Sequence, residues 1–226
     1  MDFSIVKKVT LGLAITASLG ACMSTGPALK SSNSESVAGI EARVPYANYT
    51  NYYGYVDKKT EPQGQYKGKD AYYLYAWVPA AVDEIGVSMV SPAANKPAES
   101  DFVNELYTEL NESNPDKFFD TYIVLDRLNI LDTAKIKKGG ESLQTLTYND
   151  DSSELPANPG GRNYNSLLRQ VSDINNPTKA LVRGVYRISF TSFRGEVEGS
   201  FEATVGTNIP GVKIASSLEE LHKLVN

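Results

Sequence analysis

The sequence predicts a mainly β protein, a β-sandwich with a few peripheral helices. Segments rich in Tyr, Val, Ile, Thr and Phe suit a pleated, half-buried sheet, and turn residues separate them. Apolar residues recur at helical spacing in two segments, one of them at the C-terminus. Many strands with few helices are typical of antiparallel sandwiches and barrels.

The predicted strands follow the β-favouring composition along the chain. Pro92 ends the third strand, because proline cannot donate to a strand ladder. Arg194 and Gly195 are predicted to form the turn of a hairpin between the last two strands. In order, the predicted strands are Thr50–Val56, Ala71–Val78, Glu84–Val90, Phe118–Leu125, Leu143–Tyr148, Leu181–Phe193 and Glu196–Val205.

Two amphipathic helices are predicted, at Asp101–Leu110 and at Ser217–Val225, where apolar residues recur every three or four positions. Ser217 and Glu220 have the spacing of a capping box, which supports a helix start there. His222 is the single histidine of the chain. We expect it to be a surface residue of the C-terminal helix.

The first 21 residues have the three zones of a bacterial secretory signal. Lys7 and Lys8 give a positive start, an apolar stretch follows, and residues 19–22 read LGAC. The apolar stretch is shorter than the roughly 20 residues that a transmembrane helix needs. An aliphatic residue, two small residues and cysteine resemble the bacterial lipobox. This resemblance implies a diacylglycerol thioether on Cys22, cleavage before it and acylation of the new amino group.

The predicted organisation is a signal peptide at 1–21, a serine-rich flexible tether at 22–43 and one folded domain at 44–226. Each buried CH2 of an acyl chain contributes about 0.8 kcal/mol, and two or more chains anchor a protein durably in a lipid bilayer. Met23 after the cysteine favours the outer membrane over the inner membrane. We therefore expect an outer-membrane, lipid-anchored protein.

Composition argues against several classes of function. The net charge of −5 is unsuited to nucleic acid, whose phosphates need clustered Lys and Arg. Cys22 is the single cysteine, so no disulfide can form within the chain, and a lipidated sulfur is not a nucleophile. With one histidine, no convincing Ser-His-Asp triad, Cys-His pair or multi-histidine zinc site can be built. We therefore predict that the protein is not an enzyme.

Glu196 and Glu198 are a carboxylate pair that would suit acid–base chemistry. Two apart on a strand, they would share one face at roughly 7 Å, within the range of inverting glycosidases. Val197 and Phe201 would then face the core, which makes a solvent-facing role for the glutamates the simpler interpretation. The alternative function is a periplasm-facing carbohydrate-binding or carbohydrate-cleaving lipoprotein.

Residues 149–154, NDDSSE, are the densest group of oxygen ligands in the sequence. Calcium is a hard cation that takes six to eight oxygens, and adjacent carboxylates on one loop could supply several. The segment lacks the spacing and the glycine of an EF-hand. From these residues alone, a solvated acidic loop is the simpler interpretation.

Eight segments together carry a resemblance: Asn51–Val56, Ala71–Pro79, Gly86–Pro92, Phe119–Tyr122, Tyr164–Leu167, Leu181–Thr191, Gly195–Phe201 and Ile209–Val212. In this order they resemble the LipL32 family, the major surface lipoproteins of leptospires. None of the segments is a chemical motif, but their joint order is specific, and it runs from about residue 50 to the C-terminal helix.

The resemblance implies a jelly-roll-like β-sandwich that is lipidated and attached to the outer membrane at the cell surface. It also implies calcium binding and adhesion to matrix proteins such as collagen, fibronectin and laminin, with no established enzymatic activity. The family's calcium ligands correspond to Asp120, Thr121, Asp150, Asp151 and Tyr164, the last through its backbone oxygen. This chain departs from the family where residues 147–149 replace acids of a longer aspartate run, so fewer charges attract the cation.

Overall fold

The computed structural model describes residues 28–37 and 39–226. In this part of the chain the helices are α1 (Glu105–Leu110), a 3-10 helix (Thr133–Lys138) and α2 (Leu218–Val225). The strands described are β1 (Ser34–Val37), β2 (Ile40–Arg43), β3 (Asn48–Val56), β4 (Gly64–Tyr66), β5 (Lys69–Val78), β6 (Glu84–Val90), β7 (Phe102–Val103), β8 (Thr121–Leu128), β9 (Ser142–Asn149), β10 (Ser166–Val171), β11 (Gly184–Ser192), β12 (Gly199–Thr207) and β13 (Lys213–Ala215).

Most of these strands form two sheets. One sheet has the order β10-β6-β12-β3-β7, and the other has the order β13-β5-β11-β8-β9, with β4 paired to β5. Strands β1 and β2 form a separate hairpin. The described strands pair antiparallel, except for the short parallel contact of β3 with β7. The prediction of a mainly β chain with few helices is confirmed.

The two sheets share one apolar core. Val87 on β6 and Ala203 on β12 belong to the same buried cluster as Ile123 on β8 and Ile188 on β11. All four side chains are fully buried. Removing apolar surface from water stabilises the fold by roughly 25 cal/mol per Å², so contact between the sheets is the main source of stability.

The predicted hairpin of the last two long strands is wrong. Strand β11 pairs with β5 and β8, whereas β12 pairs with β3 and β6, so the two strands lie in different sheets. Each has buried residues at nearly every position, which is typical of a central strand covered on both faces. Residues 193–198 are therefore a crossover between the sheets, and Glu196 and Glu198 lie in it rather than on a strand.

The first predicted helix begins later than expected. Helix α1 starts at Glu105, because the side chain of Asn104 accepts a hydrogen bond from Leu106 N at 2.8 Å and caps the helix there. Phe102 and Val103, predicted as helical, pair with β3 instead. The short strand satisfies backbone groups at the sheet edge before the helix begins.

The C-terminal helix is confirmed within one residue. Ser217 caps α2 by accepting a hydrogen bond from Glu220 N at 3.1 Å. The carboxylate of Glu220 reaches back to Ser216 N rather than to Ser217 N. His222 lies on this helix with Nδ1 3.2 Å from the carbonyl oxygen of Thr133, so α2 packs against the 3-10 helix.

Part of the predicted tether is folded onto the domain. Leu29 is buried in a cluster with Tyr46, Leu155 and Leu167, and residues 34–43 contain the β1–β2 hairpin. The difference arises because one apolar side chain and the backbone of this serine-rich segment find partners on the sheet. Cys22 and the remainder of the predicted tether before residue 28 lie outside the described residues.

A buried carboxylate holds this N-terminal segment. Glu84 on β6 accepts hydrogen bonds from Ser32 N at 2.9 and 3.1 Å, from the Ser32 hydroxyl and from the Tyr46 hydroxyl. Burial, followed by the bond to Glu84, raises the pKa of Tyr46 above its ordinary value, so the phenol stays a donor. Arg169 adds a bond from Nε to the Lys30 carbonyl oxygen. We call residues 28–33 the N-terminal strap.

We expect Glu84→Ala to release the strap. The change leaves the buried Tyr46 hydroxyl without an acceptor, which costs about 1–3 kcal/mol of unfolding free energy. Urea denaturation measures this loss, and limited proteolysis should cut residues 28–33 faster. Glu35→Ala on the exposed β1 strand is the control. Equal stability and equal protease resistance of the two variants would contradict the role of Glu84.

Candidate metal site

The five residues carried over from the family resemblance converge at the start of β8. Asp120 and Thr121 lie there, Asp150 and Asp151 follow the partner strand β9, and Tyr164 precedes β10. The backbone N–H of Thr121 donates to the carbonyl oxygen of Tyr164 at 3.0 Å. This bond links β8 to the segment before β10.

Hydroxyl groups join the same three segments. Ser166 on β10 donates from its backbone N–H to the Thr121 hydroxyl oxygen at 2.8 Å. The Ser166 hydroxyl lies 3.2 Å from the Asp150 carbonyl oxygen. The side chain of Asn149 accepts from Leu167 N at 3.0 Å. These local bonds hold the acidic loop against β8 and so determine where its carboxylates lie.

Asp120 is the electrostatic centre of the site. Its side chain is buried at 7% exposure, and neither carboxylate oxygen has a hydrogen-bond partner in the described part of the chain. Burial, followed by repulsion from Asp151 and a smaller effect of Asp150, raises the pKa of Asp120 to about 6. A buried carboxylate without donors, next to two others, is a costly arrangement unless a cation compensates it.

Arg194 supplies the positive charge that contacts Asp120. Its Nε lies 3.6 Å from a carboxylate oxygen of Asp120. The guanidinium also lies 4.8 Å from the ring centroid of Tyr164 and donates to its hydroxyl group. Sequence reasoning assigned Arg194 only to a turn, because its proximity to Asp120 depends on the crossover between the sheets.

The carboxylates of this site are the type of ligand that a hard cation prefers. Asp120 is buried without donors, Asp150 is half-buried and Asp151 is exposed at the open side. The Thr121 hydroxyl and the Tyr164 carbonyl oxygen are already engaged with each other at 3.3 Å. Within residues 28–37 and 39–226, no three acidic, histidine or cysteine side chains are grouped closely enough to hold a metal as they stand.

The acidic loop also contacts the N-terminal strap. Glu154 makes two hydrogen bonds to Arg169, at 2.7 and 3.0 Å, and an ion pair with Arg43. The hydrogen bond to Arg169 lowers the pKa of Glu154 below its ordinary value. Leu155 belongs to the same buried apolar cluster as Leu29 of the strap. One loop therefore joins the candidate metal site to the start of the folded domain.

Glu196 and Glu198, the carboxylate pair considered for acid–base chemistry, do not face a common site. Glu198 is paired with Lys117 at 3.0 Å. Glu196 lines a polar cleft of about 480 Å³ that also includes Asp57, Asp70 and Lys69. Val197 is buried in the core, as expected, but the glutamates flank it on a loop. The cleft is therefore lined by one glutamate of the pair, while the other is neutralised by lysine.

We expect Asp120→Asn to stabilise the metal-free protein at neutral pH. Because the pKa of Asp120 rises from 3.8 unfolded to about 6 folded, folding disfavours the ionised form, and the cost grows as pH increases through this window. The asparagine variant should therefore unfold at higher urea concentration at pH 7, with the difference disappearing near pH 4. Asp116→Asn, at an exposed position, is the control. A variant that is less stable than the wild type at pH 7 without metal would contradict this assignment.

A sequence comparison agrees with this structure. A family model described as surface lipoprotein of the Spirochaetales order, Lipl32, matches residues 40–214. The matched range contains both sheets except for the last residue of β13, and it contains all five candidate ligand positions. No curated protein sequence matches the chain significantly. Among the described residues, no helix is both long and apolar enough to cross a membrane. Because the match covers most of the sequence, the chain belongs to the Lipl32 family of Spirochaetales surface lipoproteins.

Proposed function

We propose that this surface lipoprotein is anchored in the outer membrane through acylated Cys22, binds calcium and adheres to ligands outside the cell. Membership of a surface lipoprotein family supports the location. The buried carboxylate of Asp120, without a hydrogen-bond donor and beside two aspartates, is the observation that carries the calcium proposal. The domain is proposed to be non-enzymatic.

Calcium fits the donor chemistry of the site better than a softer metal does. The available side-chain ligands are carboxylates of Asp120, Asp150 and Asp151, and hard cations prefer oxygen. The Thr121 hydroxyl and the Tyr164 carbonyl oxygen are hydrogen-bonded to each other at 3.3 Å and would have to turn toward the ion to complete the ligand set. Bound calcium would supply a positive charge that offsets the mutual repulsion of the aspartates. The protein's own residues tie the loop to β8 and orient the carboxylates, so the proposed role of the ion is structural.

Adhesion to matrix proteins such as collagen, fibronectin or laminin is proposed from family membership. A jelly-roll-like winding is proposed as well, and it is supported by the way the long strands β5, β6 and β8 alternate between the two sheets. A non-enzymatic role is supported by the position of His222, which contacts Thr133 and Asn226 near the C-terminus. These contacts give the histidine a structural role.

The second candidate is a periplasm-facing protein that binds or cleaves carbohydrate. It is favoured by the polar cleft beside Glu196, which is large enough for a sugar. Hydrolysis would need a second carboxyl group free to act, whereas Glu198 is paired with Lys117. Loss of a hydrolytic activity in Glu196→Gln would favour this candidate over the adhesive one.

We expect saturating calcium to raise the melting temperature. At about 100 times the dissociation constant, a ligand adds about 2.7 kcal/mol of stability, which for a domain of this size is roughly 5–10 °C. Calorimetry with and without calcium measures the shift, and the combined change Asp150→Ala and Asp151→Ala should abolish it. The paired control Glu112→Ala and Asp116→Ala removes the same charge at exposed positions and should keep the shift. An unresponsive wild type would refute the calcium proposal.

Protease shaving of intact cells tests the location. Because acyl chains on Cys22 would hold the domain at the surface, peptides from residues 44–226 should be released and identified by mass spectrometry. Cys22→Ala should remove the protein from the membrane fraction, since the anchor is lost. Full protection of the wild type in intact cells, with digestion after lysis, would instead place the domain in the periplasm.

A further inference from the structure

A row of aromatic rings lies beside the candidate metal site, with exposed rings at its two ends and the buried Tyr122 between them. The rings of Phe193, Tyr122 and Tyr148 are nearly parallel, with interplanar angles of 11° and centroid separations of 6.3 and 6.0 Å. The ring centroids of Tyr66 and Tyr122 lie 5.3 Å apart. Tyr148 is 60% exposed and Phe193 is 48% exposed. We call these four residues the aromatic strip. Large aromatic rings exposed in this way are typical of binding surfaces.

Lys67 presents an ammonium group to the aromatic strip. Its Nζ lies 5.3, 5.1 and 5.4 Å from the ring centroids of Tyr66, Tyr122 and Tyr148. Lys67 and Gly68 form the two-residue turn between β4 and β5, and both have positive φ, 51° and 77°. Asparagine or glycine is preferred at the first of these positions, so lysine there carries a conformational cost. Because lysine is disfavoured at this turn position, we infer that its positive charge has a function there.

The strip borders two connected cavities. A cavity of about 260 Å³ is lined by three of the strip residues and by Lys67, Lys69 and Thr191, and no acidic side chain lines it. The exposed ring of Tyr148 lies outside this lining, stacked on Tyr122. Lys69 and Thr191 also line the polar cleft of about 480 Å³. The two spaces therefore adjoin, which gives an elongated site with an aromatic, cationic end and a polar end.

We propose that this elongated site binds an acidic oligosaccharide. One face of a sugar ring carries C–H groups that pack on an aromatic ring, and the exposed rings of Tyr148 and Phe193 provide such surfaces. The ammonium group of Lys67 would pair with a sugar carboxylate or sulfate. The Nζ of Lys69 donates to the carbonyl oxygens of Ser192 and Phe193 and would add positive charge to the cavity. Asp57, Asp70 and Glu196 in the polar cleft offer acceptors for the hydroxyl groups of the following sugars. This inference specifies a ligand class for the proposed adhesive role and rests on that role.

The charges around the aromatic strip favour the acidic group of the sugar only near the lysines, and not near Asp150. Asp150 is close enough to Tyr122 to contribute to the raised pKa of its phenol, although burial and Tyr66 contribute more. The acidic group is therefore placed at Lys67, in the cavity that no acidic side chain lines. A proline-rich peptide would also stack on aromatic rings, but it lacks the hydroxyl groups that would use a cleft lined by carboxylates and lysines.

Isothermal titration of the folded domain tests the proposal with three probes. They are a hyaluronan hexasaccharide, in which uronic acid alternates with an amino sugar, a neutral chitohexaose and a proline-rich peptide. We expect the hyaluronan hexasaccharide to bind most tightly of the three. Its affinity should decrease as the salt concentration increases. Absence of hyaluronan binding, or tighter binding of the chitohexaose or of the peptide, would overturn the proposal.

Matched variants assign the binding to the strip. Tyr148→Ala should weaken hyaluronan binding by about tenfold through lost ring contact. Leu143→Ala on the same strand, where Leu143 is 58% exposed, should leave it unchanged. Lys67→Asn should also weaken binding by about tenfold while keeping or raising thermal stability, because asparagine suits this turn. Unchanged affinity in Tyr148→Ala and Lys67→Asn would overturn the assignment.

A separate assay keeps the two proposals distinguishable. The wild-type protein can be tested on immobilised collagen, fibronectin and laminin after enzymatic removal of their glycans. Adhesion that survives glycan removal, with no hyaluronan binding, would refute the sugar site and leave the adhesive function standing. Hyaluronan binding that is lost in the variants above would support the sugar site even if no matrix protein is bound.

Discussion

The carboxylate of Asp120 is the constraint on which the arrangement of this end of the two sheets depends. It is buried by the start of β8, lacks hydrogen-bond donors in the described chain and lies near two further aspartates. Such a group is tolerated when a positive charge compensates it. In this structure Arg194 provides that charge from the open side, at 3.6 Å. A bound cation would satisfy the carboxylate more completely than one partly exposed guanidinium does.

The acidic loop after β9 connects this constraint to the rest of the molecule. Its first part carries Asp150 and Asp151, while Glu154 and Leu155 hold the N-terminal strap through Arg169 and Leu29. On the strand before it, Tyr148 belongs to the aromatic strip. The candidate metal site, the segment that leads toward the anchor and the proposed ligand surface therefore share one continuous stretch of chain. A change in the conformation of this loop would therefore affect the metal site, the N-terminal segment and the ligand surface together.

The strand positions were predictable from local composition, whereas the pairing was not. Apolar and aromatic runs indicated most of the long strands to within a few residues, although β8 begins at Thr121 rather than Phe118. The crossover near Gly195 was mistaken for a hairpin because a turn signal is local, whereas the choice of sheet depends on distant partners. The strap was missed for a similar reason, since Glu84 lies 52 residues away from Ser32. The local density of oxygen ligands pointed to Asp150 and Asp151, whereas Asp120, Thr121 and Tyr164 could be named only through the family resemblance. Arg194 carried no signal of its role.

The most direct measurement is a crystal structure of the protein grown with saturating calcium. We predict an ion with oxygen ligands from Asp120, Asp150 and Asp151 at about 2.3–2.6 Å, and a guanidinium of Arg194 turned away from Asp120. The Tyr164 carbonyl oxygen should lie within the same coordination shell. A structure at saturating calcium with no ion at this position, and with Arg194 still paired to Asp120, would contradict the central claim.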